Sequence, residues 1–434
     1  MTLYSHAFQR IGTENAFKIA SHISRIEQQG HYVLKLNLGE PDFDLPKFIS
    51  EEIKRQLDLG NTHYCDPQGL LALREVIAWE LNMTRGIEVS PDQVVVFPGA
   101  KPAIAFAQQA YLNKGDEVIY PSPGYPIYES LIEMMDAIPR PLHLREDDGL
   151  GISAEQIEEL ICPATKLIFL NFPSNPTGAM ATEQELEEIA QVVLQKSNPE
   201  CRVFSDEIYS DIVFDGRRHH SIASVPGMRR RTIVVSGFSK SFAWTGGRLG
   251  YAAFPTAEEA QSFKNLNINY FSCVPPFLQM AGATALNSPH RHAAIRQMVE
   301  SFQGRRDDII PALNSIPGVR CISPLGAFYA FPNIGEAIKD LGVLDAFKSL
   351  SKCESEDTSP AGLFQMFALY HHQVAVLDRR SFGRIGSDGQ HYIRLSMAAS
   401  QENLREGIRR LREALKDRDG FRSFVREGRQ LCRG

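Results

Sequence analysis

The stretch Thr232 to Tyr251, TIVVSGFSKSFAWTGGRLGY, contains one lysine, Lys240, followed eight residues later by Arg248. A primary amine forms Schiff bases with carbonyl groups, and a guanidinium suits the oxygens of a phosphate. The pair fits a carbonyl cofactor that carries a phosphate, and pyridoxal phosphate meets both conditions. The β-branched run Thr232 to Val235 reads as a buried strand, and Ser236, Gly237 and Ser239 form the loop that brings up Lys240. In open α/β sheets ligands sit beyond the carboxyl ends of the strands, so a lysine placed there faces a pocket. One strand-end lysine alone is usually part of a solvated loop. The reading therefore depends on the other strand ends.

Three of them carry fitting groups. DEVIY runs into PSPGYPIY, a Pro/Gly turn presenting Tyr125, whose flat face can stack on an aromatic ring or pack in the core. KLIFLNF runs into PSNPTG, with Asn175 before a proline and its amide directed inward. RVFS runs into DEIY, giving Asp206, a carboxylate that can keep a pyridine nitrogen protonated, and Tyr209, a phenol that can bond a ring oxygen. Ahead of these, VVVF breaks at PGAKP and a helical run follows, so the free N–H groups at Gly99, Ala100 and Lys101 form a candidate phosphate cradle. No G-x-x-x-x-G-K-[ST] loop occurs, and GRIGSDG at 383–389 lacks dinucleotide spacing, which disfavours a nucleotide site.

The elements that must position these groups alternate between strands and helical runs such as 183–196, implying a mainly parallel sheet with the loop residues gathered on one edge. Helical spacing marks 1–30, 47–59, 69–83 and the run from Glu258, and 290–313 reads as a long amphipathic helix connecting two units. GAFYAFP, VAVLD and HYIRLSM read as strands, 334–351 as a helix, and a final helix starts near Glu402. Residues 352–360 read as a mobile polar loop, and the arginine-rich tail from Arg418 as a docked or solvated helix.

Composition sets the outer bounds. The 434 residues allow two or three domains, and 43% hydrophobic with 23% charged residues is ordinary globular usage. A net charge of -6 argues against nucleic-acid binding and for a small-molecule partner. Seven cysteines without C-x-x-C spacing fit a reducing compartment, so the expected location is cytoplasmic, and no metal is called for. Neither a signal-type apolar region nor a membrane-length apolar stretch is present in the sequence.

The motifs GEPDFDLP, HYCDPQG, PGAKPAI, PSPGYPIY, SNPTG, SDEIYS, GFSKSFAWTGGRLGY, GAFYAFP and YIRLS, in this order between about residues 10 and 416, resemble the class I aminotransferases, aspartate aminotransferase-like enzymes of fold type I that use pyridoxal phosphate. The resemblance implies an α/β fold whose large domain has a mixed, mainly parallel seven-stranded sheet flanked by helices, plus a smaller α+β domain built from both chain ends. Its expected divisions are an N-terminal arm and part of the small domain at 1–47, the cofactor-binding domain at 48–300, and the C-terminal small domain with the basic tail at 301–434. It implies Lys240 as the lysine that carries the cofactor and, with Asp206 and Tyr125, as the catalytic set. Asp206 would meet the pyridine nitrogen, Asn175 and Tyr209 the ring hydroxyl oxygen, and Tyr125 the ring face. Gly99, Ala100, Lys101, Ser239 and Arg248 would surround the phosphate, with Tyr64 reaching that of a neighbouring subunit in a homodimer with shared sites. Gly39, Asn175 and Arg394 would hold the substrate. The implied activity moves an amino group between an L-amino acid and a 2-oxoacid. Oxidase, β-lyase or decarboxylase chemistry on the same cofactor, or a non-catalytic regulator, are the alternatives. The chain departs from the family pattern at Gly237, Gly247, Asp378 and Arg379.

Overall fold

The computed structural model describes residues 3–12 and 14–428. The strands are β1 (Leu34–Lys35), β2 (Val94–Phe97), β3 (Glu117–Ser122), β4 (Ile138–His143), β5 (Thr165–Asn171), β6 (Arg202–Asp206), β7 (Thr232–Gly237), β8 (Gly250–Ala253), β9 (Tyr329–Ala330), β10 (Val374–Ala375), β11 (Leu377–Asp378) and β12 (Ile393–Ser396). Seven form one sheet in the order β2-β8-β7-β6-β5-β3-β4, parallel throughout except for β8, which runs antiparallel to both neighbours. Its inner strands are apolar because both faces are covered. Phe169 and Phe204 pack in one cluster of core residues, while Ile168 and Val203 pack in another.

This order brings together loops far apart in sequence. The carboxyl ends of β3, β5, β6 and β7 lie side by side, and the reversed β8 puts its start, just after Arg248, on the same edge. Register fixes the details: Asn171 pairs with Asp206, and Gly250 with both Gly237 and Phe97. At Gly237 a Cβ would approach Gly250 Cα to 2.9 Å and the Leu249 carbonyl to 3.0 Å. Close strand packing thus accounts for the glycine three residues before Lys240.

The chain ends pack together, with β1 parallel to β10 and β9, β12 and β11 forming a small antiparallel sheet. Helix Arg291–Asn314 spans the expected 290–313, and helices Glu183–Lys196 and Gln401–Ala414 also match their spacing.

Four expectations need correction. The 334–351 run is two helices, Gly335–Leu341 and Val343–Lys348, broken at Gly342 where φ is +91°. VAVLD divides into β10 and β11, which pair with different sheets. Residues 352–360 are not a plain loop: Lys352–Asp357 is a helix whose capping box joins Ser351 and Glu354. Finally, the described residues of the first thirty form two helices, His6–Arg10 and Asn15–Gln28. In the tail, helix Arg418–Glu427 docks through Phe421 and Phe424, whose rings lie 5.3 and 5.6 Å from that of Phe367. Arg429, Leu431, Cys432 and Arg433 lie outside the described residues.

Candidate active site

At the shared sheet edge lies a cavity of about 520 Å³ lined by Lys240, Asp206, Asn175, Tyr125, Arg248 and Arg394, among others. β7 leads into the one-turn helix Phe238–Ser241, which carries Lys240 inward. Its ammonium donates to the Gly39 carbonyl at 2.6 Å and lies 5.9 Å from the Tyr209 ring centroid. Burial, and then the nearby Arg394 charge, lower the Lys240 pKa to about 8.

Asp206 ends β6, where its Oδ2 accepts from the Tyr128 hydroxyl at 2.6 Å. Burial raises its pKa to about 6, against the opposing effect of that hydrogen bond. The neighbouring strand end supports it: Asn171 donates to the Asp206 carbonyl at 3.0 Å and accepts from the Asn175 N–H at 2.8 Å. The Asn175–Pro176 peptide is cis. The Asn175 side-chain oxygen accepts from Arg394 at 3.0 Å, so the amide faces the cavity as its sequence context predicts.

Arg394 comes from β12. It also donates to the Asn37 carbonyl at 2.6 Å, and its guanidinium lies between the rings of Tyr329 and Phe382, at 4.5 and 4.7 Å. Its buried Nε lacks a hydrogen-bond partner among the described residues. Tyr329 bonds the Tyr209 hydroxyl at 2.7 Å, and a Cβ on Gly39 would collide with the Tyr329 hydroxyl.

Beyond β2, Gly99 has φ +88° and Arg248 has φ +50°. A side chain on Gly99 would run into the Arg248 guanidinium, so the bare backbone leaves that space to the arginine. Ala100 and Lys101 begin helix Lys101–Tyr111, whose first N–H groups lack intrahelical acceptors, and Ser239 also lines the cavity. The Lys101 ammonium, however, is turned to Glu14, which also accepts from Tyr125 at 2.8 Å. Tyr64 is 86% exposed and does not line this chain's cavity.

The family model described as aminotransferase class I and II matches residues 32–411. The chain belongs to that family. It is 34% identical to an aspartate aminotransferase of Pyrococcus abyssi over 89% of this chain and 92% of that one. It is 35% identical to an arginine–pyruvate transaminase of Pseudomonas aeruginosa over 94% and 97%. The crystal structure of the aspartate aminotransferase from Rhizobium meliloti superposes with a TM-score of 0.85 at 29% identity, covering 96% of this chain and 99% of that one. The enzyme is thus a transaminase, moving an amino group between an amino acid and a 2-oxoacid, in a family that uses pyridoxal phosphate.

Three residues escaped sequence reasoning: Glu14 and Tyr329, which line this aminotransferase's cavity, and Tyr128, which lies behind it against Asp206. Tyr128 and Tyr329 sit inside recognised motifs, but nothing in their spacing singles them out; Glu14 lies outside every motif. The departures have local explanations. At Gly247 a Cβ would strike the Trp244 indole, so the tryptophan fills that space. Asp378 caps the short turn Arg379–Phe382, and the buried Arg379 ties it to Ser122, Gly383 and Gln390.

Proposed function

We propose that pyridoxal phosphate is held in this cavity by Lys240 and that the amino acid's α-carboxylate is held by Arg394. The observation that carries the reading is the meeting, in one cavity, of a part-buried lysine of lowered pKa with a buried strand-end carboxylate and a guanidinium whose Nε has no hydrogen-bond partner among the described residues. The glycine-bordered cradle beside Arg248 and the helix start at Ala100 and Lys101 supply the donors a phosphate requires. Gly39, whose missing side chain leaves room for the Tyr329 hydroxyl, borders the cavity on the side of Arg394.

When bound, pyridoxal phosphate supplies an electron sink for the pair left on the α-carbon when its proton departs. Asp206, ionised at neutral pH with a pKa of about 6, would hold a proton on the ring nitrogen. Tyr209 and Asn175 would bond the ring hydroxyl oxygen, and Tyr125 would stack on the ring. Lys240, with its pKa of about 8, takes the proton from the substrate α-carbon and returns one during transfer of the amino group. Arg394 orients the α-carboxylate with its forked donors so that the Cα–H bond faces Lys240.

The active species is a homodimer, for which the exposure of Tyr64 is support: a phenol uncovered in one chain is available to a neighbour's phosphate. The same reading divides the chain at 47 and 300 and puts the protein in the cytoplasm. A donor panel tests the chemistry. Under anaerobic conditions, one equivalent of amino donor should yield one equivalent of 2-oxoacid and leave pyridoxamine phosphate. Ammonia release without pyridoxamine phosphate across the panel would contradict transamination.

A further inference from the structure

Glu14 is a cavity carboxylate with no task in the reaction described above. It is the N-cap residue of helix Asn15–Gln28, a position whose side chain ordinarily turns back onto its own helix, yet it makes no capping bond. Instead its carboxylate enters the cavity wall, bonded to both the Tyr125 hydroxyl and the Lys101 ammonium. The side chain is 16% exposed. The surrounding arm is anchored separately: Arg10 donates to the Glu133 carbonyl at 2.7 Å, the Gly12 N–H to Ser130 at 2.8 Å, and Asn15 to Ser381 at 3.0 Å. Glu14 is therefore held in place from both sides.

The cations lining the cavity, among the described residues, are Lys101, Lys240, Arg248 and Arg394. The last three have roles in carrying the cofactor, its phosphate and the α-carboxylate. Lys101 gives the phosphate only its backbone N–H, so its ammonium remains as the cation for a second carboxylate on the substrate side chain. Glu14 already occupies it. Phe17, Leu38, Ile104 and Leu377 contribute apolar wall.

We infer that Glu14 is a specificity determinant: its carboxylate takes the place on Lys101 that the distal carboxylate of a dicarboxylic amino acid would fill, and so favours substrates with uncharged side chains. The inference rests on the reading that Arg394 anchors the α-carboxylate. A second carboxylate entering the site meets Glu14 as a like charge and finds no free partner, whereas an apolar side chain meets the wall without cost.

Succinate and 4-methylpentanoate lack an amino group and bind without reacting. Calorimetric titration of both into the holoenzyme should show tighter binding of 4-methylpentanoate. In Glu14→Gln the ratio of succinate to 4-methylpentanoate affinity should rise roughly tenfold or more, as expected for one freed charge-assisted contact. It should fall back in Glu14→Gln/Lys101→Met, and it should not rise in Lys101→Met alone. The kcat/KM ratio for L-aspartate against L-leucine should move in parallel. An unchanged binding ratio in Glu14→Gln, or a gain that Lys101→Met does not reverse, would overturn this inference while leaving the anchor standing. The anchor has its own control: Arg394→Ala should weaken both ligands together, and failure to do so would overturn the reading beneath the inference and the inference with it.

Discussion

Asn171, Asp206 and Lys240 stand at or just beyond the ends of three adjacent parallel strands locked in register, whereas Glu14 and Arg394 reach the same cavity from opposite ends of the chain. The first group is placed by backbone pairing and two covered sheet faces. On the second side, Glu14 is placed by side-chain contacts of the arm, and Arg394 by a four-residue strand and the aromatic rings around it. The difference separates tasks: the strand-end edge suits the bond-breaking chemistry, and the side-chain-held wall suits binding of the substrate, its common α-carboxylate at Arg394 and its varying side chain at Glu14.

The largest expected effect tests the rigid side. Lys240→Ala should lower the transamination rate by ~10⁴-fold, the upper range for a positioned proton-transfer group. In the cofactor-free protein, amine modification of Lys240 should titrate near its pKa of about 8, because burial and the Arg394 charge disfavour the ammonium. Removing that charge in Arg394→Ala should shift the titration upward. A midpoint near the usual lysine value in the unmutated protein would mean that the amine is not held in this environment.

On the recognition side, Arg394→Lys keeps the charge but loses the fork. A lost bidentate contact to a charged group costs about 2–3 kcal/mol, so kcat/KM should fall by roughly 30-fold or more. Unchanged kinetics would move the anchor elsewhere.

A smaller change should follow Tyr128→Phe, which removes the hydroxyl donated to Asp206 at 2.6 Å. That bond lowers the Asp206 pKa, so without it the carboxylate is protonated at higher pH and the acid limb of the activity profile should move upward, with kcat reduced by about five- to tenfold. A profile that stays in place would show that Asp206 is held by the strand alone. Smallest of all, Arg10→Ala frees the arm from the Glu133 and Met134 carbonyls. Hydrogen exchange in helix Asn15–Gln28 should quicken by about fivefold, for roughly 1 kcal/mol of lost contacts, while β5 to β7 are unaffected. Equal quickening in the sheet would erase the distinction between the two regions.

The same contrast explains what was legible in the sequence. Strand ends announce themselves through apolar runs broken by small or polar residues, so Lys240, Asp206 and Asn175 could be read from pattern and topology. Arg394 lies on a strand, where arginine is commonly a surface residue, and only the resemblance carried by YIRLS singles it out. Glu14 left no signal, because its partners are 87 and 111 positions away and its own segment reads as a helix start. The 352–360 run reads as a loop from its polar composition, although the capping box of the helix it contains, Ser351 with Glu354, is visible in the sequence.

The central claim is that Lys240 carries the cofactor. Borohydride reduction of the protein with bound pyridoxal phosphate, followed by proteolysis and mass spectrometry, tests it directly. A pyridoxyl group is expected on the peptide containing Lys240 and none in Lys240→Ala. A pyridoxyl group on any other lysine of the unmutated protein, with Lys240 unmodified, would contradict it.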